Sequence, residues 1–307
     1  MEGLAHTARP DVIQITYSPP CPLAALGASA VCQHRPVPPQ NAFVLGGGGV
    51  LGSNEVGMLR ALLEAGVSPD LVVGTSVGAL NGAFVAADPT VEATLRLAAL
   101  WRQLSAQVFA GSLAHRVSTA VRTRTHLHPR GPLRMLLEQH LPYASIEDLA
   151  VPFQCVAASI ERAAEHWFDS GPLHRAVLAS CAVPGLLAPV EIDGEHYLDG
   201  GLVNSIPVSR AVELGASTVW VLQVGRIETP LTPPRLPWEV AMVTFEIARR
   251  HRFAADMARL PAGVTVHVLP SGEQASGREQ LRYRDSRRTT RRVDAAYEAS
   301  RRYLADL

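Results

Sequence analysis

Three short stretches combine residue types and spacings that can do chemistry. The first is Gly46-Gly47-Gly48-Gly49-Val50-Leu51-Gly52. Successive glycines let backbone N–H groups converge on one point with no side chain in the way, the arrangement an oxyanion needs. The second is Gly74-Thr75-Ser76-Val77-Gly78, a G-x-S-x-G pattern. Between a strand and a helix it makes a sharp turn that presents the Ser76 hydroxyl, and the helix N-terminus favours a developing alkoxide. The third is Tyr197-Leu198-Asp199-Gly200-Gly201-Leu202, where apolar residues lead to a carboxylate flanked by two glycines. A nucleophile, a base and a set of amide donors together make acyl transfer.

Each stretch also has a plainer reading. The glycine loop could be a packing turn, and Gly47, Gly49 and Gly52 spell the G-x-G-x-x-G of a dinucleotide-binding loop. That second reading demands an acidic residue at the end of the next strand. The strand ends Val72-Val73-Gly74-Thr75 and its only acid, Asp70, stands at the start, so the dinucleotide reading fails. Ser76 could cap the helix that follows it. Asp199 could close an Asp-Gly turn. A carboxylate of ordinary pKa, near 3.9, is a poor base for an alcohol unless it is held against the hydroxyl in a dry site.

The elements that must position these groups are legible in hydrophobic patterning. Ala42–Leu45 is a buried-strand candidate entering the glycine loop, followed by helical spacing of Val56, Leu59, Leu62 and Leu63 up to Gly66. Residues 70–73 form a second strand candidate, and a helix runs through Ala79, Leu80, Ala83 and Phe84. Two consecutive strand–loop–helix units put both loops side by side at one sheet edge, with Gly49 only 27 residues before Ser76. Residues 90–140 read as mostly helical. Strands are expected over 152–159 and 165–168, then a short helix over 172–179. A hairpin turns at Asp193-Gly194, with strands 189–192 and 196–198 on either side. The runs 218–224 and 264–269 read as central strands, and 238–260 and 287–304 as helices.

Composition excludes several classes. The 307 residues include no lysine, so all 28 basic residues are arginines, balanced by 28 acids. Without lysine there is no Walker-type NTPase, no protein kinase, no pyridoxal-phosphate enzyme and no Schiff-base aldolase. Zero formal charge argues against a nucleic-acid partner. With 47% apolar residues the chain can bury a large core, yet no apolar run suggests a membrane span. No secretory leader pattern is evident, and Cys21, Cys32, Cys155 and Cys181 are scattered, so a reduced cytoplasmic protein is expected. Nor do His, Cys and Asp cluster with metal-ligand spacing, so no metal or other cofactor is expected.

Taken together and in this order, the glycine loop, G-T-S-x-G and D-G-G resemble the patatin-like phospholipase family. Ser180-Cys181-Ala182-Val183-Pro184-Gly185 and Val203-Asn204-Ser205-Ile206-Pro207-Val208 add to the resemblance, which covers about residues 41–225. It implies a three-layer α/β/α fold with a mainly parallel central sheet and a Ser–Asp dyad without histidine. Ser76 would be the nucleophile and Asp199 the base. Gly47, Gly48 and Gly49 would form the oxyanion hole, with Gly52, Gly74, Gly78, Gly200 and Gly201 as supporting motif glycines. The implied substrate is a lipid or acyl ester, cleaved as by a phospholipase A or lysophospholipase. One position departs from the family pattern G-G-G-x-Arg/Lys-G: Leu51 stands where the basic residue belongs. A catalytically weak lipid-binding or regulatory protein of the same fold is the alternative.

The expected organisation is an irregular Pro-rich arm over 1–40, a catalytic core over 41–225, and a helical and strand extension over 226–307 packing on the core. A histidine triad through His251 or His267 fits the chain order of other hydrolases, but a solvated helix face and strand packing explain these two better. Trp238, Met242 and Phe245 share a helix face that could make peripheral membrane contact. Arg249 interrupts that face, which favours docking against the core. The arginine-rich segment from Arg278 reads as a solvated face.

Overall fold

The computed structural model describes residues 39–107, 131–224, 230–235, 237–272 and 286–307. The predicted arm therefore lies outside the described residues except for its last two, as does the middle of the predicted 90–140 helical stretch. The first strand, β1 (Asn41–Leu45), runs through the glycine loop and a short 3-10 turn into α1 (Ser53–Glu64). The second unit follows as β2 (Leu71–Thr75) and α2 (Val77–Ala87). Helices α3 (Val91–Gln107) and α4 (Gly131–His140) lead to strands β3 (Phe153–Ser159) and β4 (Ala164–Phe168). After α5 (Leu173–Ser180) comes the hairpin β5 (Val190–Ile192) and β6 (Glu195–Asp199). Asp193 and Gly194 both have positive φ, as a two-residue hairpin turn of this type requires. The chain continues through α6 (Val208–Glu213), β7 (Thr218–Leu222), α7 (Pro237–Met257), β8 (Thr265–Val268) and α8 (Ser286–Ala305).

The strands form one sheet in the order β5-β6-β3-β2-β1-β7-β8, with β4 also paired to β3. The central pairings, β3–β2, β2–β1, β1–β7 and β7–β8, are parallel. Such strands are buried on both faces and read as continuous apolar runs. Phe43, Leu45 and Val72 face a layer built from Leu59 and Leu62 of α1 and Leu97 and Leu100 of α3. Ala42, Val44, Leu71 and Val73 face the opposite layer, with Val208 and Ala211 of α6 and Phe253 of α7. Helices thus cover both faces, giving three layers.

One strand departs from its sequence expectation. The run 264–269 reads as a central strand, but β8 ends the sheet and is half-exposed. A short β-branched run cannot by itself distinguish an edge from a centre. The edge is covered by aromatic packing: His267 stacks on Trp220 with ring centroids 4.3 Å apart and shares a hydrogen bond with the Tyr303 hydroxyl of α8. Helix α8 lies so close to α1 that a Cβ on Gly57 would sit 2.1 Å from the Val293 carbonyl oxygen. Among the described residues no helix is long and apolar enough to cross a membrane.

The sheet's most consequential detail lies along one edge of β3. Strand β4 occupies the other edge of β3 over its second half, from Cys155 to Ser159. Strand β2 therefore shares the free edge with β6: Thr75 lies opposite Val156, and Asp199 lies opposite Ala157, the next residue along. Strand β2 runs up this edge and β6 runs down it. Their ends meet where Ser76 follows Thr75.

Candidate active site

Ser76 sits at that meeting point with φ 55° and ψ −124°, a conformation that non-glycine residues rarely adopt. The surroundings hold it there. Its N–H donates to Ser180 Oγ at 2.8 Å, its carbonyl accepts from Ala79 N at 2.9 Å, and the neighbouring Thr75 hydroxyl donates to the Asn204 carbonyl at 2.8 Å. The flanking glycines are a steric requirement. A Cβ on Gly74 would lie 2.5 Å from the Gly78 carbonyl oxygen, and one on Gly78 would lie 2.3 Å from the Leu45 carbonyl oxygen. Helix α2 can therefore press directly onto β1 and β2. Ser76 stands at the N-cap position of α2, but its side chain makes no capping bond.

Instead the Ser76 hydroxyl donates to Asp199 Oδ2 at 2.6 Å. The other carboxylate oxygen, Oδ1, accepts the Gly201 N–H at 2.8 Å. Asp199 thus closes its Asp-Gly turn and faces the serine at once. Its own N–H donates to the Ala182 carbonyl, fixing the end of β6. Gly200 is needed because a Cβ there would be 2.1 Å from the Val156 carbonyl oxygen. Both side chains are sheltered, with Ser76 5% and Asp199 4% exposed. Burial raises the Asp199 pKa from 3.8 to about 6, against the opposing pull of the Ser76 and Gly201 hydrogen bonds. This is a stronger base than an exposed aspartate and is still ionised at neutral pH.

The glycine loop lies beside Ser76: a Cβ on Gly47 would be 3.5 Å from Ser76 Cβ. Two of its amides are committed to the scaffold. Gly46 N–H donates to the Leu222 carbonyl at 2.9 Å, and Gly47 N–H donates to the Ser205 carbonyl at 2.8 Å. The reading that gives Gly47 an oxyanion amide does not survive this bond, because a single N–H cannot serve both acceptors well. The Gly48 and Gly49 N–H groups make no hydrogen bond among the described residues, and both glycines are exposed. Gly49 needs its freedom, with φ 57°, and a Cβ on Gly48 would overlap the Val224 side chain. Gly52 closes the loop against Val77 and Trp101. Leu51 is buried, so an apolar side chain fills the place where a cation was expected.

The remaining sequence candidates lie elsewhere. His251 is exposed on α7, and His267 is engaged by Trp220 and Tyr303 at the far edge of the sheet. Asp70 sits at the opposite end of β2, accepting the Gln40 and Asn41 N–H groups, which fits the failed dinucleotide reading. Phe245 packs inward, its ring 2.8 Å from where a Gly201 Cβ would stand, and Arg249 is buried against Glu246 and Gln223. The Trp238 and Met242 side chains lie outside the described residues. Sequence reasoning placed Ser180 in a segment that adds to the resemblance but gave it no role, and it missed Glu55, Asn81 and Trp101; these four surround the serine turn and the loop. A lone polar residue within Ala79-Leu80-Asn81-Gly82-Ala83-Phe84 was the available signal for Asn81; for Ser180 the signal was its place at the head of Ser180–Gly185, which did not say that its hydroxyl takes the Ser76 N–H.

Comparison with known proteins places these features in context. Residues 43–212 match the family model described as patatin-like phospholipase. A lysophospholipase NTE1 of Mycosarcoma maydis is 31% identical over 228 residues, which is 72% of this chain and 11% of that protein. A lysophospholipase NTE1 of Coccidioides immitis (strain RS) is 34% identical over 194 residues, covering 61% of this chain and 12% of that protein. The chain thus spans only about a ninth to an eighth of the length of these relatives. The crystal structure of VipD from Legionella pneumophila aligns with a TM-score of 0.42 at 14% identity, covering 88% of this chain and 67% of that one.

Proposed function

This chain belongs to the patatin-like phospholipase family, and on that premise we propose that it hydrolyses lipid acyl esters through a Ser76–Asp199 dyad. The observation that carries the proposal is the 2.6 Å hydrogen bond from the Ser76 hydroxyl to a buried, raised-pKa Asp199, beside the exposed Gly48 and Gly49 of the glycine loop. Ser76 Oγ attacks the ester carbonyl carbon while Asp199 takes its proton. The carbonyl oxygen becomes an oxyanion and accepts from the Gly48 and Gly49 N–H groups, with the α2 N-terminus adding positive potential. Collapse of the tetrahedral species breaks the bond to the leaving oxygen, which receives the proton from Asp199. Water then gives its proton to Asp199 and attacks the acyl-enzyme. The fatty acid leaves and the proton returns to Ser76.

The names of the relatives suggest a lysophospholipid, a single-chain lipid ester, as the first substrate to offer. Fluorophosphonate probes react with activated serines and supply the test. The intact protein is expected to be labelled at Ser76 and to release fatty acid from lysophospholipid, and Ser76→Ala is expected to lose both. A folded wild-type protein that resists labelling but binds lipid vesicles would overturn the reading in favour of a lipid-binding module.

A further inference from the structure

We propose that Glu55 is a positioning residue: with Asn81 and Trp101 it forms a buried clasp that fixes the glycine loop in its donor geometry. The inference rests on the dyad reading above. Five of the seven residues from Gly46 to Gly52 are glycines, so the backbone has much freedom to lose before its amides can point at one oxygen. Something must hold both ends. At the entrance, Gly46 and Gly47 are tied to Leu222 and Ser205. At the exit, the Gly52 carbonyl accepts from Asn81 Nδ2 at 2.9 Å. The same amide nitrogen donates to Glu55 Oε2 at 2.7 Å, and Asn81 Oδ1 accepts from Trp101 Nε1 at 2.8 Å. The clasp therefore holds the exit of the loop at Gly52, as Leu222 and Ser205 hold its entrance. The Trp101 ring closes over Gly52, where a Cβ would be 2.9 Å away.

The chemistry of Glu55 is unusual for an acid in the first turn of a helix. Such a residue ordinarily stays ionised and favours the helix dipole from the surface. Glu55 is 0% exposed; its Oε2 accepts from the neutral Asn81 amide, and its Oε1 has no hydrogen-bond partner among the described residues. The charged groups of its own helix, Arg60 and Glu64, pair with each other at the other end, where Tyr297 of α8 meets them. Neither Asn81 of α2 nor Trp101 of α3 can carry a charge to offset a carboxylate here. Burial holds the Glu55 pKa well above the ordinary carboxylate value, which favours the neutral carboxyl. Burying an acid without a cation is a poor way to fill space, and a leucine would pack more cheaply. Its hydrogen-bonding shape is what the site uses, and glutamine nearly reproduces that shape.

Kinetics on a p-nitrophenyl acyl ester can separate this role from simple packing. Glu55→Gln is expected to keep kcat within about threefold at pH 7, because the neutral amide preserves the clasp. Glu55→Leu is expected to lower kcat by about 10- to 100-fold with KM little changed, the loss typical of a misplaced oxyanion donor. Fluorophosphonate labelling of Ser76 should slow in parallel. The pH profile gives a second measurement, which stands even if the Leu variant fails to fold. The wild type should lose activity on the alkaline side as Glu55 ionises, and Glu55→Gln should lack that limb. A folded Glu55→Leu protein with wild-type kcat, or alkaline profiles identical in wild type and Glu55→Gln, would overturn the proposal. Retained activity in Ser76→Ala would instead overturn the dyad reading itself.

Discussion

At the scale of single residues, the protein's chemistry turns on one carboxylate. Asp199 must be ionised to accept the Ser76 proton, so hydrolysis should fall as pH drops through about 6, with one acid-side pKa in kcat/KM. The same shift has a stability consequence of opposite sense. The unfolded chain releases this proton near 3.8 and the folded protein near 6, so folding loses stability as pH rises between those values and stays lower above them. A shift of this size corresponds to roughly 3 kcal/mol. Asp199→Asn should therefore abolish hydrolysis while raising Tm at pH 7.5, with the gain shrinking towards pH 4; calorimetry across that range would check it. His251→Ala and His267→Ala should each leave most of the activity, since His251 is exposed, His267 is engaged by Trp220 and Tyr303, and Asp199 is held by the Ser76 hydroxyl and the Gly201 N–H. A dead but folded variant of either would restore a histidine to the mechanism.

At the scale of elements, the two strand–loop–helix units and the β5–β6 hairpin were readable in advance because their signals are local. Apolar runs end at glycines whose turns have a steric cause, and Asp193-Gly194 supplies the two positive φ angles of its turn. Adding one methyl group tests how tight these junctions are. Gly78→Ala should lower stability by about 3 kcal/mol or more, since its Cβ would meet backbone oxygens that cannot move aside. Chemical denaturation should show a lower midpoint even in a Ser76→Ala background, where activity plays no part. Gly49→Ala has open space around its Cβ but a positive φ, so it should cost only about 1 kcal/mol.

For the whole molecule, the C-terminal segment is part of the same structure as the site. Strand β8 extends the sheet beyond β7, and α8 seals α1 with Val293 and Ala296 buried. Since α1 carries Glu55 and continues from the glycine loop, loss of α8 should reach the active site. A chain truncated after residue 272 should unfold at much lower temperature and without a cooperative transition by circular dichroism. A truncated protein melting like the full chain would refute that coupling.

The sequence by itself determined the local parts: the glycine loop, the serine turn, the acidic turn and the strands and helices that flank them. Each follows from the sterics of neighbouring residues, which need no distant partner to be legible. Only the tertiary structure decided how the parts meet. Asp199 reaches Ser76 because β2 and β6 share one edge of β3 from opposite directions, a pairing set by packing 123 residues apart. The Gly47 amide is lost to Ser205, and Glu55, an ordinary helix-start acid in the sequence, is fully buried against the Asn81 amide. Hydrogen-bond partners and burial are properties of the assembled core, and no stretch of the chain carries them alone.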